Sequence, residues 1–377
     1  MTLQEFIMLA GGSVEDSRLP NCISKEEFEE LSNWSLLLQK VMDQHSKNSN
    51  STRVTIHLTH SPSLVCRTKP LDDGSVAILI PLGLYMRVRV FARVLLNYYG
   101  KESNMSLLNS ILDDIPESDW AIVPALIPIF GEVDDESTHW RQLADLNSTI
   151  ELDPELEPAV TDLAWFAFCY LTCHEYAHAI RDHFSIVKQV KVPPTFEQPS
   201  DDVSLRKALE IDADAIAISL MLIITLMDME TKGLTGENAS ALYWMCYALT
   251  LVFRLYDSRR KALSLYSEGI YYHPIVRHRL IIGDADTFIS RFRPTMKKKW
   301  IDDSTSGCQA CVGALRHLDI DVMLGKFRGK TKNNKELAKY LPVTAMNFTT
   351  FADIFVDEQV QDARAQTSSI LEKFGLG

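Results

Sequence analysis

The sequence predicts an α+β protein that is mostly α-helical and carries one small antiparallel sheet in its first quarter. Runs rich in β-forming residues occur close together at 53–59, 63–67 and 76–80. The segment Lys69–Gly74 supplies a turn between the last two runs, which indicates a hairpin. Most of the remaining chain shows apolar residues at helical spacing or in long buried runs. We therefore expect helices to form the core and the sheet to be a local addition.

The N-terminal elements follow from spacing and from one proline. Residues 1–50 are predicted to be helical, and Lys25–Asp43 shows the clearest helical spacing of apolar residues. Pro81 ends the strand 76–80. Because proline cannot donate to a strand ladder, it predicts that this strand lies at an exposed edge of the sheet. A helix is predicted to follow over Leu84–Tyr99.

The length of 377 residues is large for one compact core, so we expect two lobes or one core with insertions. A helical N-terminal segment is predicted over residues 1–50. The central region, 51–290, carries the chemical motifs and includes an acidic, loop-rich insertion at about 100–150. Residues 291–377 are predicted to form a helical C-terminal region.

Composition excludes several classes of protein. The net charge of −12 argues against binding to nucleic acid or to an anionic membrane. The longest uncharged apolar stretches, Ile216–Met227 and Asn238–Phe253, are shorter than a membrane-spanning helix requires. The N-terminus has no basic n-region and carries an early acid, Glu5, so it does not read as a signal peptide. Seven cysteines without framework spacing fit a reducing compartment, so we expect a soluble cytoplasmic protein.

The strongest chemical signal is the HExxH pattern that begins at His174 and ends at His178. The apolar run Leu163–Cys173 before it predicts a buried helix. Residues four apart share a helix face, so both histidines can hold one Zn²⁺ through neutral imidazoles. Glu175 lies beside the first histidine and is placed to take a proton from a metal-bound water. The pattern therefore predicts metal-assisted hydrolysis.

A second predicted helix, Val203–Asp228, carries a pair of acids that suits the same site. Glu210 and Asp214 are four residues apart and share a face, whereas Asp212 is turned away from it. One carboxylate can complete a catalytic zinc site of two histidines and one acid. The other can accept the free N–H of a ligand histidine. Since the helix continues into an apolar run, acids on its buried side need such partners.

Three motifs in one order resemble a known family. They are HEYAHAIRDH at 174–183, EIDAD at 210–214 and HPIVRHRL at 273–280. This order is similar to that of the gluzincin metallopeptidases of the HtpX, Oma and CAAX-prenyl-protease type, with HExxH, ExxAD and HPxxxxR. The resemblance covers roughly residues 50–290 and implies a zincin-like catalytic core.

The resemblance also implies roles for individual residues. His174, His178 and Glu210 would be the zinc ligands, and Glu175 would be the general base. Asp214 would not bind the metal itself but would contact a ligand histidine from behind and orient it. The implied cofactor is Zn²⁺, and the implied substrate is a protein or peptide.

For His273 the resemblance implies one of two roles: it would stabilise the oxyanion or anchor the active-site helices. Helix geometry adds that Pro274 starts a helix, so His273 lies at a loop-to-helix junction. Arg279 lies about 240° further around, so we expect it to contact a core carboxylate instead. His183 lies about 140° from His178 on a continuous helix and is not expected to be a ligand.

The expected function is zinc-dependent cleavage of peptide bonds within a protein substrate. The predicted edge strand Val76–Ile80 would pair with an extended substrate through main-chain hydrogen bonds. One alternative is a regulated protease of narrow specificity, of the phage-exclusion or stress-response kind. Another is a zinc-stabilised binding scaffold without catalysis, although a structural zinc does not need the intact Glu175. A non-proteolytic hydrolase with the same triad is a third.

Overall fold

The protein is described here by a computed structural model that covers residues 1–14, 19–20, 22–49, 52–99, 136–189, 201–233, 240–257, 272, 274–323 and 353–376. The described chain is mostly helical and contains a three-stranded sheet, which confirms the predicted α+β, mostly α class. The helices are α1 (Leu3–Leu9), α2 (Lys25–Ser49), α3 (Leu82–Leu96), α4 (Glu136–Thr149), α5 (Glu157–Ile180), α6 (His183–Gln189), α7 (Asp201–Thr231), α8 (Ala241–Asp257), α9 (Pro274–Phe292), α10 (Lys297–Met323) and α11 (Asp353–Lys373).

The sheet is mixed, so the prediction of an antiparallel sheet was wrong. Its strands are β1 (Val54–Thr59), β2 (Arg67–Pro70) and β3 (Val76–Pro81), in the order β1-β3-β2. The predicted hairpin is present, since β2 pairs antiparallel with β3. However, β1 pairs parallel with β3 on the other side. The segment 60–66 carries the chain from the end of β1 to the opposite edge, a crossover that local patterns do not reveal.

β3 is the central strand, so the predicted exposed edge at Val76–Ile80 was also wrong. All six residues of β3 are buried. Pro81 is the last residue of the strand and the N-cap of α3, where a helix begins and the missing N–H costs little. Within the described chain, β2 pairs with β3 alone, and its other side is the edge nearer to the HExxH motif.

The core is built around α5, which carries the HExxH motif. This helix is apolar on all sides and is buried along most of its length, as expected for a helix surrounded by others. It packs against α3, α7 and α8, while α11 packs on α7 and α9. No helix of the described ranges is long and apolar enough to cross a membrane.

Gly83, at the start of α3, provides a test of the crossover. A Cβ atom at this position would lie 2.2 Å from the backbone carbonyl carbon of Pro62, and the Gly83 amide donates to Ser61 at 2.8 Å. Because backbone cannot move aside cheaply, Gly83→Ala is expected to lower the free energy of unfolding by about 1–3 kcal/mol or more. Denaturant unfolding measures this loss.

Gly313 in α10 is the matched control for that substitution. No described atom lies within 4 Å of a Cβ built there. Since alanine is favoured over glycine in a helix by up to about 1 kcal/mol, Gly313→Ala is expected to be neutral or stabilising. A Gly83→Ala protein as stable as the wild type would show that the crossover does not pass as closely as described.

Candidate metal centre

Two helices bring three predicted ligands to one point. His174 and His178 project from α5, and Glu210 projects from α7. Their ligand atoms lie within 4.8 Å of one another. The two histidine Nε2 atoms are 3.1 Å apart, and the Glu210 carboxylate oxygens lie 3.4 and 3.5 Å from them. This is the donor set that catalytic zinc sites use when one position is left for water.

The charges and lone pairs around the centre of this arrangement suit a positive charge there. Burial lowers the pKa of His178 to about 3, which keeps that ring neutral. Burial also lowers the pKa of His174, but Asp214 and Glu210 outweigh this effect and raise the pKa to about 10. Without a cation, His174 therefore holds a proton between two carboxylates. A metal ion can replace that proton, so the residues fit a bound divalent metal.

Two acids of α7, Glu210 and Asp214, are held in the ionised form. Burial raises the pKa of Glu210, but its hydrogen bond to His174 and the neighbouring charges outweigh burial and lower the pKa to about 2. For Asp214 burial acts in the same direction, yet the Arg277 guanidinium and His174 hold the pKa well below its usual range. Both groups are consequently available as anions to a cation or to its histidine ligands.

Asp214 is the centre of a buried polar network behind His174. Its Oδ1 lies 2.9 Å from His174 Nδ1, although the N–H direction is poorly aligned with the oxygen. The Tyr170 hydroxyl donates to Asp214 at 2.6 Å, and Arg277 donates through Nε and Nη2 at 2.7 and 2.8 Å. Arg277 also lies 3.5 Å from Glu210. The network directs the Nε2 atom of His174 towards Glu210 and His178.

Arg277 makes the contact with a core carboxylate that was expected of Arg279. Residues two apart on a helix lie about 200° apart, so Arg277 and Arg279 occupy nearly opposite sides of α9. Arg277 faces Asp214 and Glu210, whereas Arg279 is exposed. Sequence reasoning missed Arg277 because the family pattern indicated Arg279. His273, the predicted oxyanion residue, lies outside the described residues.

Glu175 faces the same cavity and is linked to the sheet. The Thr68 hydroxyl of β2 donates a short hydrogen bond to Glu175 Oε2. Burial raises the pKa of the Glu175 carboxyl, while His174 and the Thr68 hydrogen bond oppose that rise. The sequence contained no signal for Thr68, since the contact joins residues 107 positions apart.

The cavity beside these groups has a volume of about 400 Å³. His174, Glu175, His178 and Glu210 lie on its wall, together with Thr68 and Arg277 from the sheet and α9. The rest of the wall is mostly apolar and aromatic, with Val65, Cys66, Tyr170, Leu171, Phe184, Phe253, Tyr256, Tyr272 and Pro274. A concave apolar space with a few converging polar groups is the usual form of a binding site.

Comparisons with known proteins provide no relative from which a role could be transferred. No family model, no curated protein and no solved structure matches the chain.

The buried Asp214–Arg277 pair predicts a large loss of stability in one variant. Arg277→Ala would leave the Asp214 carboxylate buried beside Glu210 without its guanidinium partner. Breaking a buried ion pair in this way typically costs about 3–5 kcal/mol, and we expect a loss of that size in the free energy of unfolding.

Arg279→Ala is the matched control, because it removes an arginine from the exposed side of the same helix. Exposed substitutions are usually within about 0.5 kcal/mol of neutral. Equal losses in the two variants, measured by denaturant unfolding, would contradict the assignment of Arg277 as the partner of Asp214.

Proposed function

We propose that this chain is a zinc-dependent endopeptidase with a zincin-like catalytic core. The observation that carries the proposal is the convergence of His174, His178 and Glu210 in a cavity that Glu175 also lines. A purely structural zinc site has no use for a carboxylate beside it that is not one of its ligands. A hydrolytic site requires such a carboxylate as the base.

The chain's own residues supply the remaining chemistry. A bound zinc ion would polarise the scissile carbonyl and lower the pKa of a coordinated water. Glu175 accepts a proton from the attacking water on its carboxylate and later delivers that proton to the leaving amine. Thr68 holds one carboxylate oxygen of Glu175 and thereby orients the base. Asp214 and Arg277 keep His174 oriented from behind.

Among the described residues β2 pairs on one side only, and its other side supports an extended peptide as the substrate. β2 contributes Thr68 to the site, and Val65 and Cys66 immediately before it line the same cavity. A peptide that adds to this edge would be recognised through its main chain, whatever its sequence. β2 thus takes the place that we had expected for the strand 76–80.

The charges of the cavity favour internal cleavage over removal of a C-terminal residue. An exopeptidase of that kind needs a cation to bind the terminal carboxylate. Of the described lysines and arginines, Arg277 alone lines the cavity, and it is engaged by Asp214 and Glu210. The apolar and aromatic wall instead suits uncharged side chains on either side of the scissile bond.

A peptide library derived from a digested proteome tests this function without knowledge of the natural substrate. We expect the zinc-loaded protein to generate new internal termini, which mass spectrometry of labelled termini detects. Chelation should stop cleavage, and added zinc should restore it. Trimming of terminal residues alone would contradict endopeptidase activity. An unchanged library, under conditions where zinc is bound, would contradict the proposed function as a whole.

A further inference from the structure

We propose that His183 and Asp212 are positioning residues that hold the ring of His178 with its Nε2 lone pair directed into the metal site. The inference rests on the proposed metal site and adds a second anchor to it. His174 is held from behind by Asp214, as the motif order suggested. No motif assigns an equivalent support to His178.

The backbone at the end of α5 is what brings His183 back to His178. α5 ends at Ile180, and α6 begins at His183. Between them Asp182 has a φ of +52°, which lies in the left-handed region that residues other than glycine rarely adopt. On a continuous helix His183 would point about 140° away from His178. The reversal at Asp182 removes that separation and buries His183.

When the His183 ring is neutral, its hydrogen-bond partners assign the ring protons. His183 Nε2 lies 3.0 Å from Asp212 Oδ2, and an ionised carboxylate only accepts, so Nε2 is the donor. His183 Nδ1 lies 2.8 Å from His178 Nδ1. In the neutral His183 ring Nδ1 is then the acceptor, and His178 Nδ1 donates to it. His178 is left with its lone pair on Nε2, the atom that faces His174 and Glu210.

Asp212 is itself fixed in place. Arg181, the residue that follows α5, donates to its two carboxylate oxygens through Nε at 2.9 Å and Nη2 at 3.4 Å. The same Nη2 donates to the carbonyl of Leu376, just after α11. α11 packs on α7 and on the residues around α6 through an apolar cluster that includes Ile186, Leu209 and Leu371. A series of contacts therefore connects the C-terminal segment to His178, through Arg181, Asp212 and His183.

This arrangement explains the central acid of the EIDAD motif. On α7, Asp212 points away from Glu210 and Asp214, as helix geometry requires, and for that reason the sequence suggested no role for it. In the structure the Asp212 carboxylate faces His183 instead. Carboxylate–histidine contacts behind a ligand histidine set its tautomer and orientation, and their loss typically weakens metal binding by about 10–100-fold.

The test compares zinc affinity among full-length variants by competition with a chromophoric chelator. His183→Ala removes the acceptor for His178 Nδ1 and is expected to weaken zinc binding by about 10–100-fold. His183→Asn keeps an oxygen near the position of Nδ1 and should recover part of that loss. Asp212→Asn retains shape without charge and should fall between the wild type and His183→Ala. Circular dichroism checks that each variant is folded.

His57→Ala is the matched control, since His57 lies on β1 and its ring contacts Thr55 rather than the metal site. It should bind zinc as the wild type does. Selective ¹⁵N labelling of histidine adds a readout that a general loss of stability would not change. In the zinc-loaded wild type, His178 should carry its proton on Nδ1 and coordinate through Nε2.

The outcomes separate this inference from the proposed function. If the wild type binds no zinc, the metal site itself is refuted. If the wild type binds zinc and folded His183→Ala binds it within about twofold, the positioning role is overturned and the metal site stands. Coordination of zinc by His178 Nδ1 in the labelled protein would also overturn the inference. Graded loss in the order His183→Ala, Asp212→Asn, wild type would support it.

Discussion

Glu175→Gln is expected to abolish peptide cleavage while leaving the zinc content and the fold unchanged. Glutamine has nearly the same shape but cannot accept the proton of the attacking water. Loss of a general base typically lowers the rate by about 10²–10⁴-fold. Glu175 is not one of the three groups whose donor atoms converge, so one zinc per chain should remain. Cleavage rates on one peptide from the library and elemental analysis measure the two quantities.

Glu155→Gln is the matched control for that experiment, because Glu155 is exposed and precedes the same helix. It should cleave at the wild-type rate. If Glu175→Gln retained activity within about tenfold of the wild type, the base would have to be another group. Loss of zinc together with activity would instead place Glu175 among the ligands. Inactivity of both proteins towards every peptide, with zinc bound, would favour a binding scaffold.

Glu210→Ala is expected to lose most of its zinc. The site offers three protein ligands, and removal of one leaves two histidines with no carboxylate to balance the charge of the ion. The loss in affinity should exceed the roughly 10–100-fold that removal of an outer contact causes. His174→Ala and His178→Ala should behave similarly. Elemental analysis after dialysis against a weak chelator measures the zinc that remains in each variant.

Asp214→Asn provides the graded comparison, since Asp214 contacts His174 from behind. Its loss of affinity should lie between those of the wild type and Glu210→Ala. Full zinc content in Glu210→Ala would remove Glu210 from the ligand set and make Asp214 the candidate. Equal losses in the two variants would mean that the carboxylates share the metal, and the division of roles between them would be wrong.

The sequence by itself determined the parts of the site that depend on one helix. Spacing of four residues places His174 and His178 on one face, and it does the same for Glu210 and Asp214. These relations hold whatever surrounds the helices, because they follow from the helical repeat alone. The apolar run before His174 also predicted correctly that the motif lies on a buried helix. The helical class and the β2–β3 hairpin likewise followed from local patterns.

Only the tertiary structure decided how those faces meet. The rotation of α7 against α5 brings Glu210 to the histidine Nε2 atoms and Asp214 to the back of His174, and side-chain packing between the helices sets that rotation. The choice of Arg277 over Arg279 depends in the same way on the rotation of α9. Family spacing indicated Arg279 and gave no sign of Arg277, because it contains no information about that angle.

Long-range pairing and one unusual backbone conformation account for the remaining differences. The parallel pairing of β1 places β3 in the centre of the sheet, and it depends on a crossover past Gly83 that strand patterns cannot reveal. Asp182 reverses the chain after α5 and brings His183 to His178. Helix periodicity assumes a continuous helix, so it separated these two histidines. The direction of the chain at Asp182 is instead stabilised by contacts from α7 and the C-terminal segment.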